Sequence, residues 1–312
     1  MTPPSLPFSH RSRLRNCRIP SRTNTMTELL TELIRRTTST LPDDIEQALR
    51  TAASQETPGS QAALFLHAIL ENIAMARAQS IPLCQDTGTL TFFWKVPRKT
   101  DLQSLEDASK AAVTIATQKG WLRQNTIETL SGKSIPTNVC AGAPVNHFEQ
   151  HAGDDLEVWL IQKGGGSENM SVQFSLPDSE LGAGRDLAGV RTCLLHAAWK
   201  AQGFGCAPGI LGVCIGADRG EGFLRAKQQL LRPLTDVNPE PELAALEARC
   251  LNEINQLNIG PMGMGGKTTL LGVKIGAAPR LPASYFVTIA YMCWVCRRRG
   301  LRLSKATPTW LG

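Results

Sequence analysis

Cys84-Gln85-Asp86-Thr87-Gly88-Thr89-Leu90-Thr91-Phe92-Phe93-Trp94 is the stretch at which the chain changes character. Ahead of it the sequence reads as helix. Residues 27–39 and 43–55 are two helices joined at Leu41-Pro42, with Asp43 and Asp44 suited to a helix N-terminus. A longer helix over 61–78 carries the apolar stripe Leu64, Leu66, Ile69, Leu70 and Ile73. From Thr89 the pattern switches to a strand over 89–96, rich in β-branched and aromatic residues.

Strands and helices then mix. Helices are predicted at 102–121, 186–201, 223–231 and 242–257, and strands at 156–161, 170–176, 210–215, 270–277 and 285–292. Helices first and a mixture afterwards imply an α+β fold, a helical amino-terminal region followed by a mixed-sheet α/β domain. The organisation expected is a disordered extension over 1–25, one catalytic-type domain over 26–299 and a polar, frayed tail over 300–312.

The net charge of +6 suggests a nucleic-acid binder until it is localised. Arg11, Arg13, Arg15, Arg18 and Arg22 fall in the first 25 residues, which hold no acid; without those five the balance drops to +1. A nearly neutral body leaves no electrostatic footprint for DNA or RNA. No apolar run approaches the ~20 residues that span a bilayer. Pro3, Pro4, Pro7 and Pro20 interrupt any amphipathic targeting helix, and Met26, just ahead of the first helical pattern, is a candidate start. Nine cysteines, an odd number scattered along the chain, argue against a disulfide framework and for a reducing compartment, expected to be the cytoplasm.

Two glycine-rich segments suggest special backbone. Gly266-Lys267-Thr268 matches the end of a phosphate-binding loop, but Pro261 stands where the first Gly is needed and a strand follows instead of a helix. A nucleotide site is thereby disfavoured, and an anion-binding turn remains open. Lys163-Gly164-Gly165-Gly166-Ser167-Glu168-Asn169 joins two strands, and reads either as a flexible connection or as a concave nest of amides for a carboxylate. Arg123 reads as a surface residue, and His67, His147, His151 and His196 as structural or exposed.

Three cysteines stand apart. Cys84 follows Pro82 and precedes Asp86-Thr87-Gly88, Cys206 precedes Pro208-Gly209, and Cys293 follows the last strand. By position alone they are either packing residues or the thiolates of an iron–sulfur cluster. Three ligands instead of four would leave one iron open to act as a Lewis acid.

Cys84-Gln85-Asp86-Thr87-Gly88-Thr89, the 163–169 segment, Gly260-Pro261-Met262-Gly263-Met264-Gly265-Gly266, and Pro282-Ala283-Ser284 with Tyr291-Met292-Cys293-Trp294 occur in one order. Together they resemble the class I (iron–sulfur) fumarate hydratase family, and more closely its alpha subunit, the L(+)-tartrate dehydratase alpha type, over roughly residues 26–299. The resemblance implies a [4Fe–4S] cluster on Cys84, Cys206 and Cys293, with Cys214 and Cys296 as non-ligands. It implies substrate contacts from Gln85 and Arg123, a site lined by Gly165, Gly166 and Ser167, and acid/base work by Asp86. The implied reaction is reversible hydration of a double bond flanked by carboxylates, with fumarate and (S)-malate, or tartrate and oxaloacetate, as the pair. A separate beta-type subunit is implied to complete the site, in a hetero-oligomer such as α₂β₂.

One departure bears on activity. Many relatives place His before Pro-Ala-Ser, where this chain has Leu281, which can neither donate nor accept a proton. That leaves two other readings, a catalytically degenerate or accessory paralogue and an iron–sulfur redox or iron-sensing module.

Overall fold

The protein, seen in a computed structural model, is described over residues 22–305 and 307–312. Residues 1–21, and with them most of the expected extension, lie outside the described residues. Three helices come first: α1 (Arg22–Ser39), α2 (Asp43–Gln55) and α3 (Gln61–Gln79). There follow β1 (Thr89–Pro97), α4 (Leu102–Gln118), β2 (Val145–His151), β3 (Leu156–Lys163), α5 (Gly165–Asn169) and β4 (Val172–Ser175). Next come α6 (Leu187–Ala201), β5 (Gly209–Gly216), α7 (Arg219–Gln229) and α8 (Pro241–Asn255). The chain ends with β6 (Leu270–Ala278), β7 (Phe286–Met292), β8 (Arg297–Ser304) and β9 (Thr307–Leu311).

Local chemistry sets the helix boundaries. Ser60, Asp101, Asp186 and Asp218 each accept a backbone N–H of the following first turn through a side-chain oxygen. Such caps satisfy donors that the helix itself cannot reach. α3 stops at Ser80, which adopts the left-handed conformation at φ 52° and returns its amide to the last turn.

The strands form two mixed sheets. One has the order β2-β1-β3-β8-β9, with β1 and β2 parallel and the other neighbours antiparallel. The other has the order β4-β7-β5-β6, with only β5 and β6 parallel. This is the expected α+β architecture. Leu30, Leu33 and Ile34 of α1 and Ala108, Ala112 and Val113 of α4 pack on Phe92, Trp94 and Leu160 of the first sheet. Val190, Leu194 and Ala198 of α6 and Cys250 and Ile254 of α8 cover the second. A third apolar cluster joins α2 and α3 to residues of both sheets, including Phe93, Ile161, Ile210 and Met292.

Three local readings differ from expectation. β2 has the polar sequence Val-Asn-His-Phe-Glu-Gln-His and is half-exposed at a sheet edge, so no alternation marks it. Gly165–Asn169 is a helical turn, where a linker or nest was expected. The tail expected to fray forms the hairpin β8–β9. Arg297 and Arg298 are buried in it.

The topology brings distant segments together where the sheets meet. Thr89 at the start of β1 pairs with Lys163 at the end of β3, and Gln162 pairs with Arg297 at the start of β8. Ile210 at the start of β5 pairs with Met292 at the end of β7. The connections leading into β1 and β5 and out of β7 carry Cys84, Cys206 and Cys293 respectively.

Candidate active site

Asp86 sits at the centre of this junction. Its Oδ2 accepts the Gly165 amide at 2.7 Å and its Oδ1 the Gly88 amide at 3.0 Å. The glycines around it are dictated by close approach. A Cβ on Gly164 would lie 2.8 Å from Asp86 Oδ2, and one on Gly88, at φ +75°, would lie 2.7 Å from the Lys163 backbone. Gly164 itself has φ −68° and ψ 153°, ordinary for any residue. The anion expected in a nest at 164–167 is therefore met in part by the chain's own Asp86.

Arg123 and Gln85 are exposed beside it, and Arg123 Nη1 donates to Gln85 Oε1 at 3.3 Å. The Arg123 backbone is fixed from below. Its amide donates to Oγ1 of buried Thr87 at 3.2 Å, and its carbonyl accepts Asn138 Nδ2 at 2.6 Å. Asn125 also donates to Thr87 Oγ1, at 3.1 Å. Gln85, Asp86, Arg123, Asn125 and Gly165 line one open cavity of about 730 Å³. Thr87, Asn125 and Asn138 support the Arg123 segment; Thr87 lies within the 84–89 motif, whereas the polar segment 122–138 without a regular period was the only signal for Asn125 and Asn138.

The three cysteines approach the same place. The Cys206 thiol, though its residue is exposed, is pushed up by partial burial and then by the charges of Cys293, Cys84 and Asp86. Cys206 adopts φ 52°, and its carbonyl accepts the Trp294 amide at 3.3 Å, so the second and third cysteine segments are in direct contact. Ser167 is buried, and its Oγ accepts the Cys293 amide at 3.2 Å. It serves the third cysteine and does not line the cavity. Gly165 does line it; Gly166 is exposed, and a Cβ built on it would meet the Phe204 carbonyl at 3.9 Å. Lys163 is buried beneath, with its ammonium on Glu168 and Ser171, and burial pushes it down to about 8 against the pull of Glu168.

The 260–269 loop has its anion supplied internally. The amides of Lys267 and Thr268 donate to Oε1 of buried Glu56 at 2.8 and 3.2 Å. Met262 N–H donates to the Ala207 carbonyl at 2.9 Å, so the loop supports the second cysteine.

Residues 27–302 match the family described as fumarate hydratase (Fumerase). The chain belongs to this family. A putative fumarate hydratase class I from Geobacillus stearothermophilus is 46% identical over 283 residues, 90% of this chain and 55% of that protein. A putative L(+)-tartrate dehydratase subunit alpha from Methanocaldococcus jannaschii is 33% identical over 278 residues, 88% of this chain and 95% of that one. The L(+)-tartrate dehydratase subunit alpha of Escherichia coli strain K12 is 30% identical over 288 residues, 92% and 93% of the two chains. The chain thus spans about half the length of the Geobacillus relative and nearly all of the two alpha subunits.

Membership of the fumarate hydratase family raises the question of whether these residues suit a cluster. Among the described residues no three His, Cys, Asp or Glu side chains converge on a single metal ion. Cluster thiolates bind different irons, which asks for a wider triangle of soft donors. The donor set present, three cysteines from separate connections at one junction, has that character. Beside it lies Arg297, 1% exposed, whose Nε and Nη1 have no partner. A buried cation facing thiols fits a group of net negative charge.

Leu281, the departure from the fumarate hydratase family pattern, is 74% exposed in the connection from β6 to β7. All of β7 separates it from Cys293, roughly 23 Å at the rise of an extended strand. It lies at the end of the sheet away from the cysteines. No helix among the described residues is long and apolar enough to cross a membrane.

Proposed function

We propose that this chain is the alpha-type portion of a [4Fe–4S] hydro-lyase that interconverts a hydroxy-dicarboxylate and its dehydrated C4 partner. The observation that carries the reading is the convergence of Gln85, Asp86, Arg123 and Gly165 on one cavity beside Cys84, Cys206 and Cys293. Those three cysteines hold the cluster. When bound, it supplies an open iron that acts as a Lewis acid toward the substrate's hydroxyl and neighbouring carboxylate.

The chain's own residues do the rest. Arg123 presents an exposed planar guanidinium, the geometry that grips a carboxylate with two parallel hydrogen bonds. Gln85, held against it, orients the substrate by its amide. Asp86 has both oxygens fixed by backbone amides, so its remaining lone pairs point in a set direction. It moves the proton at the carbon next to the hydroxyl-bearing one. Dehydration then removes that proton and a hydroxide as water, and hydration returns both. In the working enzyme Gly165 holds Asp86 and lines the cavity, Gly166 follows it in the same turn, and Ser167 holds the Cys293 backbone.

Residues 26–299 are the catalytic-type domain, and a beta-type domain on a second chain completes the site. Two observations support a partner. Two of the relatives are named subunit alpha, a name that implies a beta partner. Ile127, which lines the cavity, is 58% exposed, and Leu130, three residues on in the same segment, is 95% exposed. The odd, scattered set of nine cysteines supports a reducing compartment, taken to be the cytoplasm. Fumarate and (S)-malate are the leading pair, after the relative at 46% identity. Tartrate and oxaloacetate form the second reading, favoured by the near-complete match to the alpha subunits.

The test is anaerobic reconstitution of the full chain with a candidate beta-type subunit, followed by absorbance assays on fumarate and tartrate. Turnover that requires both chains is expected. A formed cluster with both chains present and no turnover on either substrate would refute the reading, in favour of a degenerate or sensing protein.

A further inference from the structure

Arg297, Arg298 and Arg299 open β8 in succession; Arg297 leaves two nitrogens of its head without an acceptor, Nε and Nη1, and Arg298 leaves one, its Nε. Arg298 is 2% exposed and pairs with Asp44 at 2.5 Å. Arg299 spends its donors on Thr40 Oγ1 and on the carbonyls of Leu41 and Gly312. Arg297 makes one side-chain hydrogen bond, from Nη2 to the Asp86 carbonyl at 2.8 Å, and its Nε and Nη1 have no acceptor. A buried charge with open donors is strongly unfavourable unless an anion or acceptor meets it.

The acceptors facing it narrow the choice. The groups whose charges act on Arg297 are Cys293, Cys84, Asp86 and Cys296, in that order. Both Asp86 carboxylate oxygens take backbone amides, and neither accepts from Arg297, which reaches only the Asp86 carbonyl. What remains is sulfur, and the two strongest of those sulfurs are proposed cluster ligands.

We infer that Arg297 is a positioning residue for the cluster, donating from Nε and Nη1 to its sulfur shell on the Cys84–Cys293 side while Nη2 holds the Asp86 carbonyl. One guanidinium then links the group bound at the junction to the loop that carries Gln85 and Asp86. The planar fork is what makes this role an arginine's, since an ammonium is a point charge and cannot serve two directions at fixed angles. Cluster potentials respond to nearby charge and to hydrogen bonds on sulfur. Arg297 should therefore raise the midpoint potential and slow loss of iron. This role rests on the hydro-lyase reading above.

The full chain and its Arg297→Gln and Arg297→Lys variants would be reconstituted side by side with ferrous iron and sulfide under anaerobic conditions. Iron and sulfide per chain, the visible charge-transfer band, the midpoint potential and the rate of iron loss to a chelator would be measured. Arg297→Gln should show a more negative midpoint and iron loss faster by roughly tenfold or more, the factor carried by a hydrogen bond to a charged group. Arg297→Lys should restore the midpoint toward the parent value while still losing iron faster. A parent midpoint and parent iron loss in Arg297→Gln would overturn the inference and leave the cluster reading intact. A parent chain that takes up no iron and sulfide would overturn the cluster reading itself. If circular dichroism shows Arg297→Gln unfolded, Arg297→Lys decides: iron loss at the parent rate overturns the role.

Discussion

Gly164→Ala separates the geometry of Asp86 from the stability of the fold. Gly164 has φ −68° and ψ 153°, which alanine adopts without strain, and the residue precedes α5. Replacing glycine at such a position stabilises a protein by about 0.4–1 kcal/mol, through the unfolded chain. The added Cβ, however, would stand 2.8 Å from Asp86 Oδ2 and 3.1 Å from its Cγ, where ordinary contact begins at 3.4 Å. The carboxylate must therefore move by about 0.6 Å, which stretches the 2.7 Å bond from Gly165 and turns the free lone pairs. Misplacing a catalytic group by ~1 Å costs on the order of 10²-fold, so a loss of roughly 10- to 50-fold in kcat is expected, about 1.4–2.3 kcal/mol of barrier. The assay is fumarate hydration by the reconstituted two-chain enzyme, paired with thermal unfolding of the chain. Activity within twofold of the parent, at unchanged stability, would refute the placement of Asp86.

Other expectations follow from the same contacts. Gly88→Ala should lower stability by on the order of 2 kcal/mol or more in a chemical-denaturation experiment, because φ +75° and the Lys163 backbone at 2.7 Å both oppose a Cβ. Arg123→Gln should raise KM roughly tenfold or more with little change in melting temperature, since the fold uses only the Arg123 backbone. Leu130→Asp should weaken association with a beta-type subunit by about tenfold or more in sedimentation experiments, if the fully exposed side chain is covered there. The reduced chain should lose stability as pH rises from about 9. Burial pushes the thiols of Cys193 and Cys296 up to about 12 and those of Cys214 and Cys250 up to about 11. Above 9 the unfolded chain therefore sheds protons that the folded chain keeps, which favours unfolding. Lys163, pushed down to about 8, acts in the opposite sense, but one group against four. A melting temperature that stays flat or rises between pH 8.5 and 11 would contradict this.

Much of the fold was legible because its elements carry local signals. The aromatic run of β1 and the apolar run of β5 mark buried strands, and Leu66, Ile69 and Ile73 of the expected α3 stripe are buried, whereas Leu64 of that stripe is 62% exposed. What stayed hidden depends on partners far away in sequence. β8 looks like a solvated arginine run until Asp44 and Thr40 are brought to it. β2 is a polar edge strand whose only reason to be extended is its parallel pairing with β1. At the site, cysteines, Gln-Asp and arginine could be named one by one from motifs. The purpose of the glycines could not: they suggested unusual φ and an open nest, whereas Gly164 exists to let Asp86 approach. Ser167, which the resemblance places at the site, has its hydroxyl facing the Cys293 backbone.

The position of the site at the seam between two sheets explains how segments distant in sequence reach one place. Cys84 and Cys293 border the apolar cluster that includes Phe93 and Ile161 of one sheet and Ile210, Ala290 and Met292 of the other. That cluster fixes the two sheets against each other from below, so the connections above it are anchored at both ends within a few residues of each thiol. Leu281 stands outside this arrangement, at the far end of β7. The degenerate-paralogue reading drew its support from that residue. Placed by the fold, Leu281 bears on the opposite rim of the sheet and takes nothing from the Asp86 cavity.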